Sequence, residues 1–432
     1  MKLFREFRDS PRDIKLLWGS VFLRLLSYGI TNQVLTLFLN AIQMSESQIG
    51  WFMSLTLVGD VVCSYVLTWY ADIWGRRTVL VYGSVMMVLS GLVFCFSTNF
   101  YWLLIFAIFG VISPSSDEVG PFKSIEESML AHLTPHNKRP EIYALHALMG
   151  TTGGALGAIM CGAFLHLIQK LKWVHTDLES YQAVFLLYAL IAVGKVIIML
   201  CLSRQTELDM HHHEPHTTEE DQPLIQHATE PKSANLSPET KSILVKLLVI
   251  FMLDSLGYGF MTSSWVIYYY AKYFMMGSMA LGTLFFCNQI VSALSSIPSS
   301  FIARHMGPVK AMISAQAPSA VFFMLIPLVG HNLVLSILFL VLYSSTTAMD
   351  VTPRQILLTN IIKPQDLTKV MGTVNIGKTM ARCVGPIFTG ILAQRDHLAL
   401  CYVISGSLVL AADCVLAFWF FRFDSSIKRQ IT

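Results

Sequence analysis

A small set of ionisable residues lies inside stretches of this sequence that are otherwise apolar. Their side chains could exchange protons, pair with one another, or bind an ion or a polar molecule. These residues are Arg24, Asp60, Asp117, Glu118, Lys195, Asp254, Asp350, Lys378, Arg382 and Asp413. A charge in the middle of a hydrocarbon layer costs about 2.5–3.5 kcal/mol on insertion scales, so it tends to face a partner or a water-filled passage. We therefore expect these residues to form a site, or else to form ion pairs that hold helices in register.

The elements that carry these residues are long apolar runs. Of the 432 residues, 54% are apolar and 13% are charged, whereas a soluble domain has about 25% charged residues. A hydrocarbon core about 30 Å thick needs about 20 mostly apolar residues per helix, and backbone in lipid must satisfy its own hydrogen bonds. Twelve such runs lie near residues 15–40, 48–71, 78–98, 101–123, 143–168, 181–203, 243–272, 279–303, 309–329, 332–358, 369–394 and 398–421. The sequence predicts an all-α membrane protein with twelve transmembrane helices.

Several classes of protein are disfavoured by the rest of the composition. The eight cysteines all lie within the apolar runs, and no two have the Cys-x-x-Cys spacing, so we expect reduced thiols, no metal site and no cofactor. The net charge of +3 gives no reason to expect nucleic acid as a partner. No nucleophile lies beside a base at the depth of the charged residues, so an enzyme is not expected.

The orientation in the membrane follows from the basic residues of the loops, since cytoplasmic loops carry an excess of Lys and Arg. If the N-terminus is cytoplasmic, the loops and tails on that side contain 19 lysines and arginines, against 4 on the other side. An even number of crossings then returns the basic C-terminal tail to the cytoplasm. Both termini are predicted to be cytoplasmic.

The chain contains an internal repeat of about 230 residues. The stretch "RLLSYGI" at 24–30 matches "DSLGYGF" at 254–260, with an arginine in one copy and an aspartate in the other. The fifth and eleventh runs are aligned on "MGTT" at 149–152 and "MGTV" at 371–374. The sequence predicts an N-terminal six-helix bundle over 1–203, a disordered cytoplasmic linker over 204–242, and a C-terminal six-helix bundle with a short tail over 243–432.

One loop motif resembles the signature of the major facilitator superfamily, G-x-L-A-D-R-x-G-R-R, between its second and third helices. Here the loop reads "TWYADIWGRR", with Asp72, Gly75, Arg76 and Arg77 in place and with departures at Thr68 and Ile73. Two parallel six-helix repeats are also the plan of this superfamily. The resemblance implies two bundles related by a pseudo-two-fold axis, alternating access, and a cytoplasmic gate formed by this motif.

The resemblance also implies which helices surround the substrate. In this superfamily the first, fourth, seventh and tenth helices line the cavity, with the second, fifth, eighth and eleventh beside them. The residues then expected at the substrate cavity are Arg24, Tyr28, Asp254, Tyr258, Asp350, Lys378 and Arg382. We expect Arg24 to pair with a carboxylate of the fourth helix, and Asp254 or Asp350 to pair with Lys378 or Arg382.

The stretch "SPSSDEVGPFKSIEES" at 113–128 crowds four carboxylates and a lysine into the fourth run. Proline and glycine within it predict an interrupted helix, and interrupted helices at cavity depth often bind coupling ions or substrate. Asp117 and Glu118 are the residues predicted to take up and release protons. Glu126 and Glu127 lie further along the helix and are assigned to the cytoplasmic gate.

The linker contains two short motifs. "EEDQPLI", with Glu220, Leu224 and Ile225, resembles the acidic dileucine sorting signals of eukaryotic endolysosomal and vacuolar membrane proteins, which sorting adaptors bind. "HHHEPH" at 211–216 could bind a transition metal, although solvated histidines in a flexible loop are the commoner case.

Together these features predict a secondary active transporter of a small anionic or zwitterionic solute, coupled to protons and monomeric in the bilayer. The membrane is expected to be vacuolar or lysosomal, or otherwise the plasma membrane. Two alternatives are an antiporter that exchanges drugs or xenobiotics for protons, and a nutrient sensor that has the transporter fold but does not transport.

Overall fold

The computed structural model describes residues 7–8, 10–110, 112, 114, 121–135, 139–203, 206, 238–362 and 364–424. The predicted coupling residues Asp117 and Glu118 lie outside the described residues. So do the sorting motif with Glu220, Leu224 and Ile225, and most of the predicted linker. The side chain of Asp72 is likewise outside what the structure describes, whereas its backbone belongs to a helix.

Among its described residues, the N-terminal half contains seven α-helices. They are α1 (Arg12–Ala41), α2 (Glu46–Trp74), α3 (Arg76–Phe96), α4 (Phe100–Phe109), α5 (Pro121–Leu133), α6 (Arg139–Lys170) and α7 (Asp177–Leu200). Helix α4 lies in the predicted fourth run, and α5 begins within that run but continues to Leu133, beyond the predicted end at 123. Two helices begin with a capping box, in which a hydroxyl and a glutamine or glutamate satisfy free backbone N–H groups. The residues are Ser45 with Gln48 at α2 and Thr176 with Glu179 at α7.

The C-terminal half repeats this order with more interruptions. Its helices are α8 (Pro238–Phe260), α9 (Ser263–Tyr273), α10 (Ser278–Ser295), α11 (Ser299–Met306), α12 (Pro308–Leu328), α13 (Leu333–Thr347), α14 (Val351–Ile361), α15 (Pro364–Gln394) and α16 (Leu398–Phe420), with a 3₁₀ turn at Ala348–Asp350. The seventh, eighth and tenth predicted runs are each divided into two helices. Helix α8 begins at Pro238, within the segment that the sequence assigned to the linker.

The hydrophobic lengths agree with the prediction of a membrane protein. In the part of the chain that the structure describes there is no strand, and ten helical spans are long and apolar enough to cross a membrane. These ten correspond to ten of the twelve predicted runs. The other two are the interrupted fourth run and helix α15, which carries Asp366, Lys369, Lys378 and Arg382.

Glycines show the internal repeat more clearly than the motifs do. Gly75 and Gly307 lie 232 positions apart, each between two helices, with φ of 89° and 93°, a backbone conformation that favours glycine. At four contacts between helices, a Cβ added to a glycine would stand about 3 Å or less from the main chain of the neighbouring helix. This is the close approach that small residues allow. These pairs are Gly29–Gly157 and Gly259–Gly385 within the halves, and Gly50–Gly390 and Gly162–Gly282 between them.

These contacts correct one alignment made from the sequence. Gly157 and Gly162 of α6 are equivalent to Gly385 and Gly390 of α15, which is an offset of 228 residues. The alignment of "MGTT" with "MGTV", at an offset of 222, was wrong. That match is a local similarity of letters, whereas the glycine contacts are set by the packing of whole helices. With the correct offset, Arg382 is equivalent to Gly154. The carbonyl of Arg382 packs against Gly259 of α8, and the carbonyl of Gly154 packs against the equivalent Gly29 of α1.

The apolar core is shared by the halves on one side of the molecule only. We call the side where α1 begins and α16 ends the terminal side. On the opposite side, one large cluster contains residues from both halves, such as Phe38, Phe185, Trp265 and Tyr402. On the terminal side each half has its own smaller cluster. The two halves are therefore packed together on the opposite side and have separate cores on the terminal side.

Candidate functional site

A buried ion pair lies inside the N-terminal half. The Arg24 guanidinium on α1 donates to Glu126 Oε2 on α5 at 2.7 Å, and the Ser20 hydroxyl donates to Glu126 Oε1 at 2.8 Å. The Nε2 atom of His146, on α6, lies 4.0 Å from Glu126 Oε2. Glu126 is fully buried. The carboxylate of the fourth helix that meets Arg24 is thus Glu126, and it lies inside the half rather than on its surface.

Lys195 on α7 lies next to this ion pair. It is 1% exposed, its Nζ is 5.4 Å from the centre of the Phe122 ring, and it is 3.9 Å from the Met87 sulfur. Its positive charge also acts on Glu126. The N-terminal cluster, defined as Arg24, Glu126, His146 and Lys195, therefore contains more positive than negative groups.

A second buried network lies inside the C-terminal half. The Arg354 guanidinium on α14 donates to Asp254 Oδ2 on α8 at 2.9 Å. It also contacts Asp350 in the 3₁₀ turn, to which its Nε donates at 2.9 Å. The amide nitrogen of Gln316, on α12, donates to Asp254 at 3.2 Å and to Asp350 at 3.1 Å.

The two networks occupy equivalent places with opposite polarity. Arg24 and Asp254 are related by the repeat, 230 positions apart, and each pairs with the short helix that ends the fourth or tenth run on the terminal side. The cation is on α1 and the anion on α5 in the first half, whereas the anion is on α8 and the cation on α14 in the second. Removing one member of a buried pair leaves an uncompensated charge, so each pair attaches a short helix to its half.

Arg354 is a site residue that the selection from the sequence missed. The expected partners of Asp254 and Asp350 were Lys378 and Arg382, but the guanidinium that contacts both aspartates is Arg354. The available signal was the spacing of Asp350 and Arg354, which places them four residues apart on one helical face. Of the two expected cations, Lys378 is half-buried on α15, and Arg382 is 8% exposed.

A polar layer joins the halves where the seventh run is interrupted between α8 and α9. The hydroxyls of Ser263 and Ser264 donate to the Asn32 side-chain oxygen at 3.2 and 2.6 Å. The Tyr28 hydroxyl is 3.4 Å from the Ser263 hydroxyl. Tyr258, which the repeat relates to Tyr28, is half-buried on α8 one turn from Asp254. This polar layer, made by Tyr28, Asn32, Ser263 and Ser264, connects α1 of the first half to α9 of the second.

Beyond the polar layer, charged residues at the opposite surface join the halves. Lys272 Nζ on α9 lies 2.8 Å from Glu46 Oε1 on α2 and 3.5 Å from Asp396. The Tyr268 hydroxyl donates to Glu46 at 2.9 Å, and the Asn40 side chain donates to the Tyr268 oxygen at 2.7 Å. This cluster was not predictable from the sequence, because its members come from helix ends that are distant along the chain.

One residue of the loop motif between α2 and α3, Arg77, makes a contact within its own half. A guanidinium nitrogen of Arg77 donates to the carbonyl of Leu200 at 2.7 Å, which places a cation at the C-terminal end of α7. Arg76 is half-buried, and Gly75 provides the turn. The carbonyl of Glu127 accepts a hydrogen bond from the Tyr143 hydroxyl at 2.9 Å.

Two more of the carboxylates that the sequence placed in apolar runs are buried. Asp60 is 4% exposed on α2, the helix that packs against α15 of the other half, and Asp413 is 4% exposed on α16. Among the described residues, no group of three His, Cys, Asp or Glu side chains is arranged to hold a metal ion.

The chain is similar in sequence to a family of membrane transporters over nearly its whole length. The family model of the Major Facilitator Superfamily matches residues 17–252 and again 247–431. An uncharacterised membrane protein of Saccharomyces cerevisiae is 65% identical over 442 residues, covering 100% of this chain and 99% of the relative.

Solved structures share the fold at low sequence identity. A POT family transporter in complex with a thioalcohol-conjugated peptide has a TM-score of 0.72 at 15% identity, with 98% of each chain covered. A bacterial homologue of the human lysosomal transporter Spinster, in an inward-facing and unoccupied conformation, has a TM-score of 0.70 at 13% identity, with 96% of this chain and 97% of that chain covered. These likenesses confirm the predicted fold of two six-helix bundles.

Proposed function

Since the chain belongs to the Major Facilitator Superfamily of secondary transporters, we propose that it carries a small anionic or zwitterionic solute between its two halves in exchange for, or together with, protons. The observation that carries this proposal is the one-sided core. The halves share apolar contacts on the opposite side and have separate cores on the terminal side. A solute could enter between such halves from the terminal side and leave after they rock.

The residues near this space favour a polar solute with at least one anionic group. Lys378 is half-buried on α15, and the side chain of Arg354 is 16% exposed. The hydroxyl groups and the amide of the polar layer offer neutral hydrogen-bond donors and acceptors where the two halves meet. The proposed substrate site therefore contains Lys378 and Arg382 on α15 with Tyr28 and Tyr258 on the two equivalent helices. Arg24, Asp254 and Asp350 lie behind it.

Coupling to protons requires a carboxylate whose protonation changes the contacts between or within the halves. Glu126 and Asp254 are supported in this role, because each attaches a short terminal-side helix through a buried cation. Asp117 and Glu118 remain proposed coupling residues on the strength of the sequence. Alternation would break the Glu46–Lys272 contact on the opposite side and bring the gate motif of Asp72, Gly75, Arg76 and Arg77 against the other half.

The remaining proposals concern the cellular setting. We place both termini in the cytoplasm, as the distribution of basic loop residues indicates. The motif with Glu220, Leu224 and Ile225 would then face cytoplasmic sorting adaptors and direct the protein to a vacuolar or lysosomal membrane. Replacing Leu224 and Ile225 by alanine in a fluorescently tagged chain should redirect it to the plasma membrane, and unchanged localisation would refute the sorting role.

Uptake by proteoliposomes tests the proposed transport. Purified full-length protein would be assayed with radiolabelled amino acids, dipeptides, monocarboxylates and dicarboxylates, with and without a pH gradient. We expect one of these classes to accumulate, faster with the gradient, and Lys378→Met to weaken uptake more than Lys172→Met, a matched change at an exposed lysine.

Other outcomes would overturn parts of the proposal. Uptake that ignores the gradient would remove proton coupling. Efflux of a lipophilic dye without uptake of any polar solute would favour a multidrug antiporter. Binding of a solute without its movement would favour a sensor.

A further inference from the structure

Asp413 is a buried carboxylate that accepts no hydrogen bond from the residues that the structure describes. It lies on α16, is 4% exposed, and neither carboxylate oxygen has a hydrogen-bond partner among the described residues. The groups that act on its charge are Asp254, Asp350 and Arg354. Asp413 is therefore close enough to two other carboxylates and one guanidinium for their charges to act on it.

The guanidinium is already engaged by the other two carboxylates. Arg354 contacts both Asp254 and Asp350. Helix α12, which packs against α16, adds Gln316, an uncharged side chain whose amide nitrogen also donates to both aspartates. Helix α15 adds Lys378, whose charge acts on Asp350. Two carboxylates therefore share one guanidinium, and Asp413, whose charge they influence, accepts none of the described hydrogen bonds.

The equivalent helix of the other half has the opposite charge. Helix α7 carries Lys195, which is buried beside the ion pair of Arg24 and Glu126. Each half thus combines one internal ion pair with one additional ionisable residue from its last helix, a lysine in the first half and an aspartate in the second. In the C-terminal half the additional residue is a third carboxylate, near two aspartates that already share one guanidinium.

An ionised carboxylate with no partner in an apolar interior is costly, and such a group takes up a proton instead. A proton also needs no cavity of its own, unlike a hydrated metal ion. We infer that Asp413 is a proton-binding group of the C-terminal half, protonated while Arg354 holds both Asp254 and Asp350. The inference extends the proposed function, because it names a site for the coupled proton.

Release of the proton would follow movement of α14. When the short helix α14 shifts, Arg354 leaves one of its aspartates, and water reaches the network from the space between the halves. The O–H bond of Asp413 then breaks, its proton passes to a water molecule, and the carboxylate that remains attracts Arg354. Proton release and movement of α14 are in this way two parts of one step.

Difference infrared spectroscopy of purified full-length protein tests this assignment without a substrate. The wild type at neutral pH should show the carbonyl stretch of a protonated carboxylic acid, shifted in D₂O. Asp413→Asn should lose the intensity of one carboxyl group. Asp177→Asn, a change at an exposed aspartate, should keep it. Asp413→Glu should retain the band at a different frequency, and this variant decides the question if Asp413→Asn fails to fold.

Two results would overturn the inference. One is a carboxylic acid band that is unchanged in Asp413→Asn, or unmoved in Asp413→Glu. The other is a wild-type melting temperature that rises with sodium but not with choline at constant pH, together with loss of this response in Asp413→Asn. That result would mean that a metal cation, and not a proton, occupies the site. If the band behaves as expected and no solute is transported, the proton site stands and the proposed transport fails.

Discussion

The contact between Glu46 and Lys272 holds the two halves together on the opposite side, and its removal should shift the protein toward the conformation open on that side. Lys272 Nζ is 2.8 Å from Glu46 Oε1, and the side chains are 34% and 19% exposed. Exposed ion pairs contribute about 0.2–1 kcal/mol, and these side chains are partly shielded. We therefore assign this contact about 1 kcal/mol, which corresponds to about a fivefold change in the ratio of open to closed molecules.

Distances between spin labels measure this ratio. Labels at positions 99 and 331 would report the separation of two loops on the opposite side, one from each half, in a chain whose native cysteines have been replaced. Lys272→Met should raise the long-distance population about fivefold, and Glu46→Gln should have a similar effect. The double variant should add little to either, because both single changes remove the same contact.

The matched control is Lys170→Met, a change at an exposed lysine on the same side of the molecule. It should leave the distances unchanged. The reasoning is refuted if Lys272→Met does not change the distances, or if the effects of Lys272→Met and Glu46→Gln are simply additive. In the second case the two residues would act through different contacts, such as the one between Lys272 and Asp396.

Two further predictions concern packing. Gly50→Ala should also increase the open population, because its Cβ would stand 3.0 Å from the Cα of Gly390 in the other half. The control Gly372→Ala, whose Cβ would have no atom within 4 Å, should leave the spin-label distances unchanged. Glu126→Gln should lower thermal stability by the equivalent of about 3–5 kcal/mol, since it leaves Arg24 buried with a weaker partner. Combining Arg24→Met with Glu126→Leu should recover most of the loss in melting temperature, and a double variant no more stable than Glu126→Gln would contradict this account of the pair.

The large-scale fold was predictable because hydrophobic length and the repeat are properties of the sequence itself. The pairing of Arg24 with the fourth helix was also accessible, since a buried guanidinium needs a carboxylate and only the fourth run offered several. The identity of that carboxylate was not accessible. Glu126 lies beyond the interruption of the fourth run, where counting residues along a continuous helix no longer gives its depth.

The contacts between distant helix ends were the least predictable part. Lys272 appeared in the sequence only as a loop residue, and its contacts with Glu46 and Asp396 depend on how the two halves meet. The burial of Lys195 and Asp413 was also not predictable from the sequence, because a long side chain such as lysine can instead extend its charged end to the membrane surface. The structure buries both, since the last helix of each half packs against the first helix of that half.

The separate terminal-side clusters have a consequence for the energetics of the transport cycle. Residues such as Leu17 and Met129 in one cluster, and Phe251 and Leu416 in the other, have all their cluster partners within their own half. Relative rotation of the halves therefore leaves both clusters intact, and only the shared cluster exchanges neighbours. Substitutions in the terminal-side clusters should therefore reduce the yield of folded protein, whereas substitutions in the cluster shared by both halves should alter the rate of transport.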